Sequence, residues 1–567
     1  MNFQTLLNQL YPNAAQSCRG FAPELVLCVT IVAMLLARMP RFGHKINAFY
    51  VALVGSVVGL YYAAPWLHLF STGDAVASPL GKEIFDGLLV YDQFTVFFRA
   101  ILLLFLVLFL IFTRLSGIPD REDSPDFYTL IVGGIIGMCL MVSANHLLIV
   151  FLGVEMASVP SYALSGILKG RRQSSEAALK YCIYGAGAAG VMLYGISLLA
   201  GALGTCHLPT IAQQLASLTP ESFAQRQTVL MLGGLLVSVG LAFKLSAFPF
   251  HFWCPDVFEG ASAEVDAYLS VASKAAALAL LVRVAVGVTH VPAGEMATEP
   301  TAQKAAAVQT VAYRGIVEHR DAEPAALDGD GLTKPVNVAH AVRRYVVGLL
   351  SLLAAVTCTF GNLAAYNQTN IKRLLAYSTI AHAGYMMMPV AAAIQLGGEH
   401  PEEAREAIGS LAFYVAVYLF MNLGAFAIVA FWRNTLRSER IEDYSGLIAR
   451  SPLLVICFAT ILISLLGMPP LAGFAAKFLA FGYVADARLY TLLVVGCLNT
   501  ALSLFYYLRV VKVMTFDPEP LDRLPLRQGS WASGVYLVLL TLPVLILGIW
   551  FNDLNVWARA ATSGLFM

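Results

Sequence analysis

The chain has 567 residues, of which 58% are hydrophobic and only 13% are charged. Soluble domains carry roughly 25% charged residues, so this composition excludes an ordinary soluble enzyme and favours an integral membrane protein. The formal net charge of +1 gives no sign of a nucleic-acid partner or of an acidic substrate.

Apolar runs of about 20 residues follow one another along the chain, and this length crosses roughly 30 Å of hydrocarbon. They lie near residues 21–40, 47–65, 94–116, 127–143, 146–168, 176–201, 228–253, 265–290, 345–364, 374–397, 409–432, 451–484, 489–515 and 533–552. The pattern predicts an all-α integral membrane protein with about fourteen transmembrane helices. We expect a single polytopic membrane domain over residues 1–567, with its core at 127–515. The first run has no basic segment before it, so we expect it to remain as an anchor.

Four deep ionisable residues lie in these apolar runs, where a charge at the bilayer centre costs about 2.5–3.5 kcal/mol even on the lenient insertion scale. Glu155 lies about ten residues, or roughly 15 Å, into its helix, near mid-depth. Lys244, Lys274 and Lys477 also lie within apolar segments, away from the predicted helix ends. Lys180 lies roughly one turn inside its helix, where a snorkelling lysine is the alternative interpretation. For Glu155 the alternative is a structural ion pair with one of the lysines.

A row of buried amines and one carboxylate is what a proton relay requires. A buried group that is balanced between the cost of burial and the attraction of an opposite charge changes its protonation when that partner moves. His251, seven residues after Lys244, and His382, in YSTIAHAGYMMM, could join the relay. Histidine titrates nearest to neutral pH, although a lone buried histidine is often a satisfied core residue. Both interpretations stay open for these two residues.

Two of the predicted spans contain helix breakers. The segment KLSAFPFHFWCP contains Pro249, and LLGMPPLAGF contains Gly467, Pro469, Pro470 and Gly473. Non-helical backbone at membrane depth survives only where protein covers it or a watery cavity faces it. Interrupted helices in both halves of a chain indicate an inverted-repeat transporter. We therefore expect two inverted repeats of five helices, helices 4–8 and 9–13, in which helices 7 and 12 are broken.

A polar, alanine-rich insertion at about 291–342 separates the eighth and ninth predicted helices and contains LDGDGLTKP. We expect it to form an extracytoplasmic surface loop that is partly helical, with a partner-docking loop as the alternative. The nine cysteines form no CxxC pair, so the sequence predicts no metal or cluster site.

Lysine and arginine are distributed unequally between the loops of the two sides. One side carries eighteen of them: Arg38, Arg41, Lys45, Arg114, Arg121, Lys169, Arg171, Arg172, Lys372, Arg373, Arg433, Arg437, Arg440, Arg450, Arg509, Lys512, Arg523 and Arg527. The other side, without the insertion and its flanks, carries six: Arg19, Lys82, Arg226, Arg405, Arg488 and Arg559. The positive-inside rule then places the first side in the cytoplasm and both termini outside.

Several long motifs resemble the antiporter-like membrane subunits of respiratory complex I. They are LGVEMASVPSYAL, EAALKYCIYGA, FKLSAFPFHFWCPDVFEGA, NQTNIKRLLAYSTIAHAGYMM, MNLGAFAIV, GMPPLAGFAAKF and NTALSLFYYLRVVKVM. The resemblance covers nearly the whole chain in order, except for the insertion. Among these subunits the chain is most similar to the N type of bacterial NADH-quinone oxidoreductase, the counterpart of mitochondrial chain 2. Lys477 favours the N type, because the M type is expected to have a glutamate at the matching position.

The resemblance implies a role for each deep residue. Glu155 and Lys244 would form a switchable ion pair, and Lys180 would lie on the cytoplasmic uptake side. Lys274 would be the central relay, and Lys477 would lead toward the exit side or the next subunit. His251 and His382 are weaker candidates.

The resemblance also implies a subunit of a proton-translocating NADH:quinone oxidoreductase in the bacterial inner membrane. Electron transfer through NADH, FMN, iron–sulfur clusters and quinone would occur in other subunits, and this chain would bind no cofactor and no metal itself. Its partners would be the antiporter-like M and L subunits, the small K, J and A subunits, and the lipid bilayer, but not nucleic acid. The alternatives are an Mrp-type cation/proton antiporter subunit, a membrane subunit of a related hydrogenase complex, and a non-conducting structural scaffold.

Overall fold

The computed structural model describes residues 17–37, 47–63, 81–119, 123–291, 338–520 and 530–566. Most of the predicted insertion at 291–342 lies outside the described residues. So do six of the basic loop residues that were used to predict the orientation, namely Arg38, Arg41, Lys45, Arg121, Arg523 and Arg527.

The first half of the chain contains eleven helices and one short β-hairpin among the described residues. The helices are α1 (Ala22–Ala37), α2 (Ala48–Ala63), α3 (Gln93–Ser116), α4 (Ser124–Ser143), α5 (Leu147–Ser165), α6 (Arg172–Leu203), α7 (Leu208–Ser217), α8 (Pro220–Leu245), α9 (Trp253–Gly260), α10 (Ala263–Ser270) and α11 (Ala272–Thr289). Strands β1 (Lys82–Ile84) and β2 (Leu89–Tyr91) pair in antiparallel register just before α3.

The second half of the chain has eight described α-helices. They are α12 (Val338–Ala365), α13 (Ile371–Leu396), α14 (Pro401–Leu436), α15 (Pro452–Leu466), α16 (Ala472–Asp486), α17 (Tyr490–Thr515), α18 (Trp531–Ile549) and α19 (Asn552–Ala560). Two short 3-10 helices, Ile441–Tyr444 and Leu447–Ala449, lie between α14 and α15.

Helices occupy all fourteen apolar runs that the sequence predicts, so the all-α membrane fold is confirmed. Among the described residues, ten helical segments are long and apolar enough to cross a membrane. Helices α1, α2 and α15 are apolar but shorter. The number of fourteen membrane crossings stays a prediction.

The two predicted breaks are present. Helix α8 ends at Leu245, and Ser246 adopts a left-handed conformation with φ of +56° before the chain resumes helix at α9. Helix α15 ends at Leu466, Gly467 has φ of +90°, and α16 starts at Ala472. Prolines within both gaps cannot donate a helical hydrogen bond, which explains why the helices stop there.

A third interruption was missed by the sequence analysis. The predicted span at 265–290 is divided at Val271, which separates α10 from α11. The backbone there has φ of −99° and ψ of −70°. The interruption lies about one turn before Lys274.

Helix α14 forms the centre of the fold. Of its apolar window, 94% is buried inside the protein, which is the expected environment for a helix that is hydrophobic on all sides. Helices α12 and α13 cross at glycines: a Cβ atom on Gly384 would lie 2.6 Å from the Cys358 nitrogen, and one on Gly361 would lie 2.6 Å from the Ala381 nitrogen. Only small residues permit this approach, which fixes the position of α13.

The helix ends meet at two opposite faces of the bundle. The arginine-rich face contains the end of α3 at 117–119 and the turns 166–171, 366–370 and 437–451. Lys169 pairs with Asp123, directly before α4, and Asn434 donates to the Ser116 carbonyl to join the ends of α14 and α3. At the opposite face Glu83 of the β-hairpin accepts hydrogen bonds from Asn145, which lies between α4 and α5, and from His207, directly before α7.

Candidate functional site

Lys244 lies in the last turn of α8, directly before the break, and only 1% of its surface is exposed. Its ammonium donates a hydrogen bond of 3.1 Å to the hydroxyl of Ser158 on α5. Glu155 lies three residues earlier on α5, on the same side of the helix, and it is partly buried. Glu155 and Lys244 interact electrostatically, but the direct hydrogen bond of Lys244 goes to Ser158. The structure therefore brings together the two residues of the predicted switch, with a hydroxyl beside them.

Lys274 lies in the first turn of α11 and is also 1% exposed. Its ammonium donates a hydrogen bond of 3.0 Å to the Thr379 carbonyl on α13. A buried ammonium needs such acceptors, because an unsatisfied charge in an apolar interior is costly. Among the described carboxylates, none forms an ion pair with Lys274, so its charge is stabilised only by uncharged groups in direct contact.

His382 lies on α13 and interacts electrostatically with both Lys274 and Lys477. Its Nδ1 atom lies 2.9 Å from the Tyr414 hydroxyl, and its Nε2 atom lies 3.4 Å from the Tyr507 hydroxyl. The Tyr507 hydroxyl continues to Ser378 at 2.5 Å. Imidazole and phenol groups both donate and accept hydrogen bonds, so this network can pass a proton along its length.

Lys477 lies near the start of α16 and is 4% exposed. Its ammonium donates to the carbonyls of Leu465 and Leu466, at 3.1 Å and 2.9 Å. These carbonyls are free because α15 ends at Leu466, and the last carbonyls of a helix have no partner within it. The same ammonium lies 4.5 Å from the centre of the Tyr385 ring, a favourable cation–π contact. The second helix break thus creates the binding site for this lysine.

Lys180 is separate from this buried row. It lies near the arginine-rich end of α6 with its side chain 35% exposed, and it pairs with Asp256 at 2.8 Å and with Glu176 at 2.9 Å. Asp256 also pairs with Arg373 on α13. Partial burial raises the pKa of Asp256, but hydrogen bonds from Lys180 and Arg373 outweigh it and hold this pKa below its ordinary value. Lys180 therefore belongs to a surface network of charges.

His251 lies in the gap between α8 and α9, where it packs against aromatic rings. Its ring centre lies 4.2 Å from that of Phe360 and 5.4 Å from that of Phe248. Its Nδ1 atom has no hydrogen-bond partner among the described residues. No described hydrogen bond connects His251 to the lysines, and it lacks the electrostatic interaction with Lys274 and Lys477 that His382 has.

Sequence reasoning missed the uncharged members of the site, namely Ser158, Ser378, Thr379, Tyr385, Tyr414 and Tyr507. Their signal is weak because serine, threonine and tyrosine are common in transmembrane helices. The cluster of polar side chains in FYVAVYLFMN, which contains Tyr414, Tyr418 and Asn422 on one side of α14, could have indicated a polar surface. In the part of the chain that the structure describes, no group of three or more histidine, cysteine, aspartate or glutamate side chains could hold a metal ion.

The arrangement comprises two buried polar groups, Glu155 with Ser158 and Lys244, and Lys274 with His382 and Lys477, which together are called the buried row. Each lysine is held by uncharged acceptors, and each is near another titratable group. Such a row can carry protons across the interior when the charge at one end changes.

A family model described as NADH:quinone oxidoreductase/Mrp antiporter, TM, matches residues 144–296 and 331–503 of the chain. The matched segments contain every deep residue of the row. They also contain both helix breaks.

Among curated relatives, NADH-quinone oxidoreductase subunit N of Anaeromyxobacter sp. (strain Fw109-5) is 34% identical over 557 residues, covering 96% of each chain. Among solved structures, a chain of respiratory complex I from Thermus thermophilus with bound aureothin superposes with a TM-score of 0.68. It is 29% identical, and the match covers 94% of this chain and 98% of that chain. A chain of the Mrp complex from Dietzia sp. DQ12-45-1b has a TM-score of 0.72 at 18% identity, covering 97% and 98%, which shows a shared fold.

Proposed function

The chain belongs to the NADH:quinone oxidoreductase/Mrp antiporter family of membrane proteins, and we propose that it is the N-type proton-translocating subunit of respiratory complex I. One observation carries the mechanism, namely that two buried lysines, Lys274 and Lys477, both interact with His382. Lysines that faced water or the lipid headgroups would not need uncharged hydrogen-bond acceptors in the protein interior, as these buried lysines do.

In this mechanism Glu155 and Lys244 form the switch. When Glu155 moves toward Lys244, the ammonium is stabilised by a carboxylate. When Glu155 moves away, only Ser158 remains in contact and the amine releases its proton more readily. A buried charge left without its partner costs about 3–5 kcal/mol, which exceeds the roughly 2.3 kcal/mol needed to move one charge through 100 mV. The energy scale is therefore sufficient for pumping.

The proton passes from the middle of the bundle to its second half. Lys274 holds it beside Thr379, and the hydrogen-bonded group of His382, Tyr414 and Tyr507 lies between Lys274 and Lys477. Lys477, at the second break, delivers it toward the exit side or a neighbouring subunit. Lys180 lies at the arginine-rich face and acts on the uptake side, where its positive charge pairs with Asp256.

The chain works within a larger assembly. NADH, FMN, iron–sulfur clusters and quinone act in other subunits, and this chain responds to their redox change through its neighbours, the M and L subunits and the small K, J and A subunits. The protein spans the bacterial inner membrane many times. Its arginine-rich face, which holds most of the described basic loop residues, lies in the cytoplasm.

Replacing Lys274 with alanine in the intact complex tests this function. In proteoliposomes we expect proton translocation driven by NADH and quinone to fall close to zero while the complex stays assembled. Lys169→Ala is the matched control, because Lys169 is 78% exposed and pairs with Asp123 at the surface. Unchanged pumping by Lys274→Ala would indicate a structural scaffold. Transport that requires sodium would indicate an Mrp-type antiporter instead.

A further inference from the structure

A carboxylate outside the row described above is wholly buried. Asp266 lies on α10, and 0% of its surface is exposed. Neither of its carboxylate oxygens has a hydrogen-bond partner among the described residues. An ionised carboxylate without partners is costly to bury, so this residue is poised to bind a proton.

Four charged residues from four different segments interact electrostatically with Asp266, and they lie toward the arginine-rich face. They are Lys372 on α13, Glu439 in the turn 437–451, Glu264 on α10 and Arg433 on α14. Lys372 pairs with Glu439 at 2.9 Å, and Arg433 pairs with Glu264 at 3.2 Å. These four charges therefore compensate one another, and Asp266 is the member of the cluster that is left without an ion pair among the described residues.

Two further buried polar groups lie near the same cluster. The Trp432 indole nitrogen and the Tyr444 hydroxyl have no hydrogen-bond partner among the described residues. Their ring centres are 4.8 Å apart, and Tyr444 interacts electrostatically with both Glu439 and Arg433. Buried polar groups of this kind are usually satisfied by internal water. Three such groups around one cluster indicate a small hydrated region.

This region reaches both the surface and the buried row. Glu439 is 19% exposed and Arg433 is 11% exposed, so the cluster opens toward the arginine-rich face. In the other direction, Ser270 follows Asp266 by four residues on the same side of α10, and Lys274 follows four residues later, at the start of α11 beyond the interruption at Val271. Eight residues of helix span about 12 Å, a distance that a few water molecules and the buried Ser270 hydroxyl can bridge.

We propose that Asp266 is the proton-carrying residue of the uptake path, which takes a proton from water at the arginine-rich face and passes it to Lys274. The carboxylate gains an O–H bond from hydrated protons at that face. This bond then breaks as the neutral amine of Lys274 takes the proton, which restores the carboxylate. This inference rests on the proposed function and adds a residue to it.

The test compares three variants of the intact complex in proteoliposomes, with rates normalised to assembled complex. Asp266→Asn keeps the shape of the side chain but cannot carry a proton, so we expect pumping to slow by about 100-fold. Asp266→Glu keeps a carboxylate, so we expect pumping to be retained with a shifted pH profile. Glu442→Gln is the matched control, because it removes one negative charge from the arginine-rich face at an exposed pair with Arg440 and leaves the cluster around Asp266 in place, so we expect a change within about twofold.

The outcomes separate the possible roles of Asp266. Wild-type pumping by Asp266→Asn overturns the inference, and so does an equal loss in Asp266→Asn and Glu442→Gln, which would show that only the negative charge near this face matters. If Asp266→Asn does not assemble, Asp266→Glu decides, and an unchanged pH profile would then overturn the inference. Infrared difference spectra add a direct readout. A carboxyl band that the wild type shows should be missing at that frequency in Asp266→Glu.

Lys274→Ala distinguishes failure of this inference from failure of the proposed function. If Lys274→Ala stops pumping but Asp266→Asn does not, protons reach Lys274 by another path. If Lys274→Ala pumps normally, the proposed function itself is wrong.

Discussion

The ammonium of Lys244 on α8 is hydrogen-bonded to Ser158 on α5. Glu155 lies about one helical turn before Ser158 on α5. The serine thus offers the lysine a neutral partner when the carboxylate is not engaged. A switch with two alternative partners has two defined positions, and the equilibrium between them depends on the difference in their binding energies.

Removing the neutral partner changes this equilibrium. In Ser158→Ala we expect Lys244 to shift to Glu155 and remain there, because the variant loses the hydrogen bond to Ser158, and such a bond to a charged group contributes about 1.5–3 kcal/mol. Pumping in proteoliposomes should fall by roughly tenfold while the complex remains assembled. Ser161→Ala is the control on the same helix, since the Ser161 hydroxyl donates to the Ala157 carbonyl. Equal rates for the two variants would contradict the role of Ser158.

The glycine at the second break supports Lys477. Gly467 has φ of +90°, and a Cβ atom there would lie 2.9 Å from the Lys477 Cδ atom. Gly467→Ala should therefore introduce backbone strain of about 1–3 kcal/mol and displace the ammonium from its two carbonyls. We expect a clear loss of pumping and a lower thermal stability of the complex.

Another glycine, Gly482 within α16, provides the control for this prediction. A Cβ atom on Gly482 would meet nothing within 4 Å, so Gly482→Ala should preserve both pumping and stability. A Gly467→Ala complex that pumps like Gly482→Ala would show that the position of Lys477 does not depend on the break.

The Tyr507 hydroxyl connects Ser378 with His382. Tyr507→Phe removes this hydroxyl without changing the size of the ring, so we expect slower proton transfer between Lys274 and Lys477 but normal assembly. Tyr536→Phe is the control, because the Tyr536 hydroxyl is also buried but donates to the Leu108 carbonyl, away from the row. Single-turnover proton release measured after a redox pulse would distinguish the two variants, and identical traces would remove Tyr507 from the path.

The Asp256 network predicts a pH dependence of stability. The pKa of Asp256 is below its ordinary value in the folded protein because its hydrogen bonds to Lys180 and Arg373 outweigh its partial burial. Its contribution is therefore fully present above the ordinary value, near pH 3.9, and is lost as the pH falls through the lowered value. We expect Asp256→Asn to be less stable than the wild type at pH 6, with the difference shrinking in acid. Thermal unfolding of the purified complex between about pH 6 and pH 3 measures this, and a constant difference would contradict it.

The sequence predicted the class of the protein, the location of its helices and both breaks at Pro249 and at Pro469–Pro470. These features depend on local properties, because hydropathy and the missing proline donor act within one segment of chain. The depth of Lys244, Lys274 and Lys477 was predicted for the same reason. The break at Val271 was missed because neither proline nor glycine marks it.

The grouping of the site residues depended on the tertiary structure. Lys274 bonds to a carbonyl 105 residues away and Lys244 to a hydroxyl 86 residues away, and no local pattern specifies such contacts. The packing of α13 against its neighbours placed His382 in a hydrogen-bonded network with Tyr414 and Tyr507, whereas the gap after α8 placed His251 among aromatic rings. Thus the sequence alone determined which groups are costly to bury, and only the packing of distant helices decided which of them meet.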